Sequence, residues 1–206
     1  MNLYSGSFPN EINIDSKIKN TVLIGQLMGG ILVVNTISLS VGILGNIVKD
    51  LTENKLEGFL VTPVTRMKLI LSYYITAVMV TFIFTIILYM FTIVYIAIVG
   101  TPLSIVVILQ GVGLLIIYTF ISTSIMLFLV TLIKSSGAFA TLSSIAGTLV
   151  GFISGAYMPL FMLGESVSKI AGSTPFSHMV IYLRQILILD SYDLISGMTE
   201  IEKTIL

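Results

Sequence analysis

Between Lys68 and Lys134 the chain runs for 65 residues without one Asp, Glu, Lys or Arg. A run of that length has no face to give to water. A membrane-spanning helix needs about 20 predominantly apolar residues, so the run holds two, and Gly100-Thr101-Pro102 near its middle is the turn signal between them. Two further uncharged runs, 20–48 and 135–164, bring the predicted spans to four, at about 22–47, 69–99, 103–133 and 136–158. Lipid offers the backbone no hydrogen-bond partners, so a spanning chain is a helix or a closed barrel. Barrel strands alternate polar and apolar residues, and these runs do not. The expected fold class is all-α, a polytopic helical membrane protein with one transmembrane domain over 1–206. With 56% hydrophobic and only 10% charged residues, the chain has too little polar surface to wrap a soluble core.

Orientation follows from where Lys and Arg are kept, since cytoplasmic loops retain them. The connection 49–68 carries Lys49, Lys55, Arg66 and Lys68, and Lys134 follows the third span, so both belong inside. The uncharged Gly100-Thr101-Pro102 hairpin, the segment 1–19 and the tail 159–206 then lie outside. This leaves Lys17 and Lys19 external and close to the first span, which is the expectation for a chain whose upstream spanning helix is missing. The expected location is the cytoplasmic membrane, multi-pass. Zero net charge gives no electrostatic footprint for nucleic acid, and none is expected as a partner.

The loop KDLTENKLEGFLVTPVTRMK holds seven of the twenty charged residues. Leu51, Leu56, Phe59 and Leu60 share one helical face, with Asp50, Glu53, Asn54 and Glu57 on the other. Thr62-Pro63 stops that short helix and starts the next. A push on it would pass directly to the second span.

These residues carry a resemblance. LEGFLVTPVTRMKLI is similar to the first cytoplasmic loop of the ABC-2 family of transport permeases, with Leu56-Glu57, Phe59-Leu60 and Thr62-Pro63 at the matching positions; Asn54-Lys55 stands where the family usually has Gly-Thr. Beyond the fourth span, Gly155-Ala156, Tyr157-Met158-Pro159, Pro175 and Arg184 resemble the family's external segment. The resemblance covers about 22–189 and implies the second to fifth of six spanning helices. It implies a permease subunit, not an enzyme, that forms a homodimer or heterodimer and works with a separate ABC ATP-binding subunit to export a substrate. No cofactor is bound by this chain; ATP and Mg belong to the partner. The loop would be a coupling helix, with Leu56, Phe59 and Leu60 docked in a groove of the ATPase, Glu53 and Glu57 facing basic residues there, and Pro63 marking the break.

Other features stand beside this reading. Gly147, Gly151 and Gly155 make a small-residue stripe for close helix packing in the fourth span. Asn35, near the middle of the first span, is a candidate for a substrate path. The segment 176–189 is too short and too charged to span comfortably; it reads as an external interfacial or re-entrant helix, with Pro159, His178 and Arg184 as candidates for an external gate. No carboxylate or cation lies deep in a predicted span, so an ion relay has no carriers. No phosphate-binding loop or Gly-x-Ser-x-Gly pattern occurs. A non-transporting membrane scaffold and a secondary transporter are the rival readings, and the substrate stays open among drugs, lipids and glycan-like molecules.

Overall fold

The computed structural model describes residues 16–53, 65–133, 135–157, 169 and 171–194. They form five helices and no strand: α1 Ser16–Thr52, α2 Arg66–Val99, α3 Ile105–Thr131, α4 Ser136–Ile153 and α5 Pro175–Leu194. The first four are long and apolar enough to cross a membrane, so the all-helical polytopic class expected from the uncharged runs is the one observed. Ser104 and Ser135 start α3 and α4 by capping, their Oγ atoms accepting from the Val107 and Ala138 N–H groups at 3.4 and 3.3 Å.

Helix α1 is the hub, packed against each of the other four. Leu32, Val33, Ile37, Val41 and Leu44 are fully or nearly fully buried along it. By contrast α2 and α3 keep Phe91, Ile98, Leu109 and Phe128 exposed, as lipid-facing helices do. The two are locked to each other by Tyr89, which is wholly buried and donates to Ile108 O at 3.2 Å. Gly111 makes this approach possible, because a Cβ there would stand 2.0 Å from the tyrosine oxygen.

Contacts along α1 give the direction of every other helix. At one end Thr21 Oγ1 accepts from the Thr101 N–H at 2.8 Å, and Asn20 Nδ2 donates to Val99 O at 3.4 Å. At the other end the Tyr73 hydroxyl donates to the Asp50 carboxylate, and the Thr52 and Ser136 hydroxyls meet at 3.0 Å. So α2 and α4 run antiparallel to α1, α3 runs parallel to it, and the Gly100 hairpin and Lys49 mark opposite ends of the bundle.

Helix α4 stops short. Its 18 residues give about 27 Å at 1.5 Å per residue. The sequence reading carried this span to 158, but the helix ends at Ile153 and Gly155 turns the chain with φ 73°, a left-handed conformation that glycine adopts freely. Ala156 then lies against Gly30, where a Cβ would come within 2.9 Å of the Ala156 backbone. Gly30 is nine residues along α1 from Thr21, so α4 hands over about 14 Å short of the Gly100 end. Helix α5 begins at that level, with Ser177 Oγ 3.0 Å from Ile153 O. It runs back along α1, with Arg184 against Gly29 and Ile188 against Gly25.

Candidate functional site

Four helices surround α1, yet one row of its residues stays uncovered. Leu27, Ile31, Ser38, Gly42, Asn46 and Lys49 are exposed, and Asn35 in the same row is half-buried. Steps of three, four or seven residues keep them on one face of a helix with 3.6 residues per turn. The row is apolar toward the Gly100 end and polar toward the Lys49 end. It runs between α4, which touches α1 at Ser38 and Gly45, and α2, which touches it at Asn35 and Asp50. The result is a groove floored by α1.

Helix α4 supplies a second polar row beside its Gly147 contact. Gly137, Thr141, Ser144 and Thr148 are exposed, and the three hydroxyls donate to the Gly137, Thr141 and Ser144 carbonyls of their own helix at 3.2, 3.0 and 3.5 Å. Their protons are used locally, so the outward lone pairs are left as acceptors.

Behind the floor lies a buried hydroxyl network. Thr36 and Ser122 meet at 3.1 Å, Ser40 and Thr123 at 2.9 Å, Ser40 and Thr81 at 3.4 Å, and Asn35 Nδ2 donates to Thr85 Oγ1 at 3.4 Å. Except for Asn35, these side chains are wholly buried. The network ties α1 to both α2 and α3 at mid-length, where interhelical hydrogen bonds take the place of a hydrophobic drive.

Toward the Gly100 end the groove meets Arg184. Its Nε donates to Gln26 O at 2.8 Å, and Nη2 lies 3.0 and 3.1 Å from Gly155 O and Ala156 O. The guanidinium thus caps the carbonyls at the broken end of α4, where the helix dipole favours a cation, and pins that end to α1. Outside it, Phe152 and Tyr157 pack edge to face with ring centres 5.5 Å apart.

The residues singled out from sequence fall into separate places. Asn35 borders the groove and Arg184 closes its upper end, whereas His178 is exposed on α5 and does not join them. The glycine stripe of α4 divides its work: Gly147 meets Ser38 of α1, Gly151 makes room for the Tyr157 ring, and Gly155 forms the turn. Close helix packing also occurs on α1, at Gly25, Gly29 and Gly30. Glu53 sits exposed in the turn that ends α1, its N–H donating to Lys49 O at 3.0 Å. Leu56, Glu57, Phe59, Leu60, Pro63 and Pro159 lie outside the described residues. Sequence reasoning missed Ser38, Asn46 and the hydroxyl network. The available signal was Ser and Thr recurring at helical spacing, at 36 and 40, 81 and 85, and 119, 122 and 123. No cluster of His, Asp or Glu suited to a metal occurs among the described residues.

The described residues thus define a helical membrane bundle whose central helix keeps a row of residues open. A family model described as "ABC-2 family transporter protein" matches residues 3–201. The chain belongs to the ABC-2 transporter family, whose permeases are transport membrane subunits, not themselves catalytic, and generally pair with an ABC ATP-binding subunit. No curated protein and no solved structure matches it.

Proposed function

We propose that this chain is the permease of an ATP-driven exporter in the cytoplasmic membrane, with its Lys49 end in the cytoplasm and a separate ABC subunit binding ATP and Mg. Two permease chains, identical or paired with a relative, bring their α1 and α4 rows together around the substrate path. The single observation that carries this reading is the polar row of half-buried Asn35 and exposed Ser38 and Asn46 on an otherwise enclosed hub helix. Its amide and hydroxyl groups are poorly matched to lipid chains and well matched to a hydrated path.

The coupling step uses the loop 49–68. Leu56, Phe59 and Leu60 dock in the ATPase, and Glu53 and Glu57 meet its basic residues. Helix α1 is continuous from Ser16 to Thr52, and the Tyr73–Asp50 hydrogen bond ties it to the start of α2. Closure of the ATPases therefore moves both helices as one lever and tilts the groove away from the cytoplasm. Arg184 and the broken end of α4 form the outer stop that this tilt releases.

The test is co-purification and ATP-driven export in vesicles with the intact chain and with Leu56, Phe59 and Leu60 changed to Ser. Loss of ATPase retention together with loss of export supports the reading. Retention unchanged, or no ATPase retained by the intact chain, sinks it. Export that continues without ATP and collapses with the ion gradient would establish a secondary transporter instead.

A further inference from the structure

At the Lys49 end the groove deepens into a cavity of about 280 Å3 between α1 and α4. Its walls are Gly42, Gly45, Val48 and Phe139, and its polar groups are Asn46 and Lys49, with Ser136 at the rim. Two glycines of its α1 wall differ in what they face. A Cβ at Gly42 would meet nothing within 4 Å, whereas one at Gly45 would strike the Phe139 ring at 2.2 Å. Gly45 is thus filled by its neighbour across the groove and Gly42 is left open.

Among the described residues that line this cavity Lys49 alone is charged, and Glu53 is exposed one turn beyond it. Asp50, next in sequence to Lys49, turns to α2, where its carboxylate accepts from Tyr73. Lys49 ends the uncharged run 20–48 and is exposed, as is Asn46. So a cation and an amide stand where the apolar span meets the polar boundary, beside the apolar walls of the cavity. The volume is just below the roughly 300–1,000 Å3 of pockets that enclose a whole drug-sized ligand. It suits part of a larger molecule whose remainder lies in the lipid phase.

We propose that this cavity binds an anionic phospholipid of the leaflet at the Lys49 end. The phosphate lies at Lys49 and Asn46, and the glycerol and first chain segment lie against Gly42, Val48 and Phe139. The phosphate accepts from the ammonium and the Asn46 amide, and chain methylenes fill the space that the missing side chain of residue 42 leaves. The inference goes beyond the transport reading and does not rest on it, because lipid binding is read without ATP, substrate or a partner subunit.

The test uses the whole chain in phosphatidylcholine nanodiscs. The protein has no cysteine, so Thr141→Cys, exposed on α4, takes a single fluorescent label. Spin-labelled phosphatidylglycerol and spin-labelled phosphatidylcholine are compared as quenchers at low mole fraction. One basic residue near the membrane surface predicts a preference of about fivefold for the anionic lipid. Lys49→Gln abolishes the preference. Gly42→Leu keeps the charge, fills the recess and also abolishes it, which separates a built site from general attraction to a positive surface. Circular dichroism and gel filtration check that both variants keep the helical bundle. Equal quenching by the two lipids in the starting protein, or a preference that survives Gly42→Leu, overturns the proposal.

Discussion

Arg184 reaches the backbone of α1 only because residue 29 has no side chain: a Cβ at Gly29 would stand 2.8 Å from Arg184 Cγ and 3.2 Å from its backbone nitrogen. The glycine of one helix and the guanidinium of another, 155 positions apart, thus form a single fitting. Removing either part disturbs three carbonyls at once, those of Gln26, Gly155 and Ala156.

Arg184→Met leaves those carbonyls without their charged donor. A buried polar group deprived of its partner costs about 1–3 kcal/mol, and the broken end of α4 loses its anchor to α1. Thermal unfolding in detergent is expected to fall by several degrees, with export reduced. Arg184→Lys restores only part of the loss, because an ammonium cannot reproduce the planar fork that spans Gln26 on one side and Gly155 on the other. Equal stability of Arg184→Met and the parent would show that the contact carries no weight.

Gly30→Ala and Gly42→Ala make the same chemical change in the same helix and are expected to differ sharply. At residue 30 the new methyl meets the Ala156 backbone at 2.9 Å, which has no rotamer with which to yield; at residue 42 it meets nothing. Overpacking costs about 1–3 kcal/mol, so Gly30→Ala is destabilised by that order. Gly42→Ala is neutral or slightly stabilised through better helix propensity. Paired melting curves measure the difference directly.

The Ser40–Thr123 contact is a case for a double-mutant cycle with Ser40→Ala and Thr123→Val. Hydrogen bonds between membrane helices average about 0.6 kcal/mol and reach about 1.7. The 2.9 Å spacing and complete burial place this pair toward the upper part of that range. A coupling energy indistinguishable from zero would mean that the two hydroxyls find other partners when the bundle relaxes.

Tyr73→Phe removes the tie between the Lys49 end of α1 and the start of α2. The hydrogen bond to the Asp50 carboxylate is charge-assisted, of the kind worth about 1.5–3 kcal/mol. On the proposed function, the expected signature is uncoupling: the ATPase stays bound, and ATP is hydrolysed with less export per turnover. Export and hydrolysis falling in equal proportion would argue that Tyr73 serves folding alone.

How much of this was legible in advance depends on how local each feature is. The class of fold was, because 65 uncharged residues between Lys68 and Lys134 must be sheltered from water whatever their neighbours are. Arg184 could be singled out as a charge in an apolar segment, but not its partners: Gln26 lies 158 positions away. Ser40, Thr81 and Thr123 were passed over because a hydroxyl in a span satisfies itself on its own helix carbonyl. Only the rotation of three helices decides that these particular ones meet. The glycines teach the same lesson, since spacing marked Gly147, Gly151 and Gly155 as one seam and packing gave each a different neighbour.

The sequence by itself determined that the chain is a membrane bundle, which runs are its helices and which loop keeps the charge, because transfer into lipid is a sum over local side chains. Tertiary structure decided that α4 breaks at Gly155, that Arg184 caps the break, and that one face of α1 stays open. Those outcomes depend on depth and rotation of helices relative to one another, which no single stretch of chain encodes.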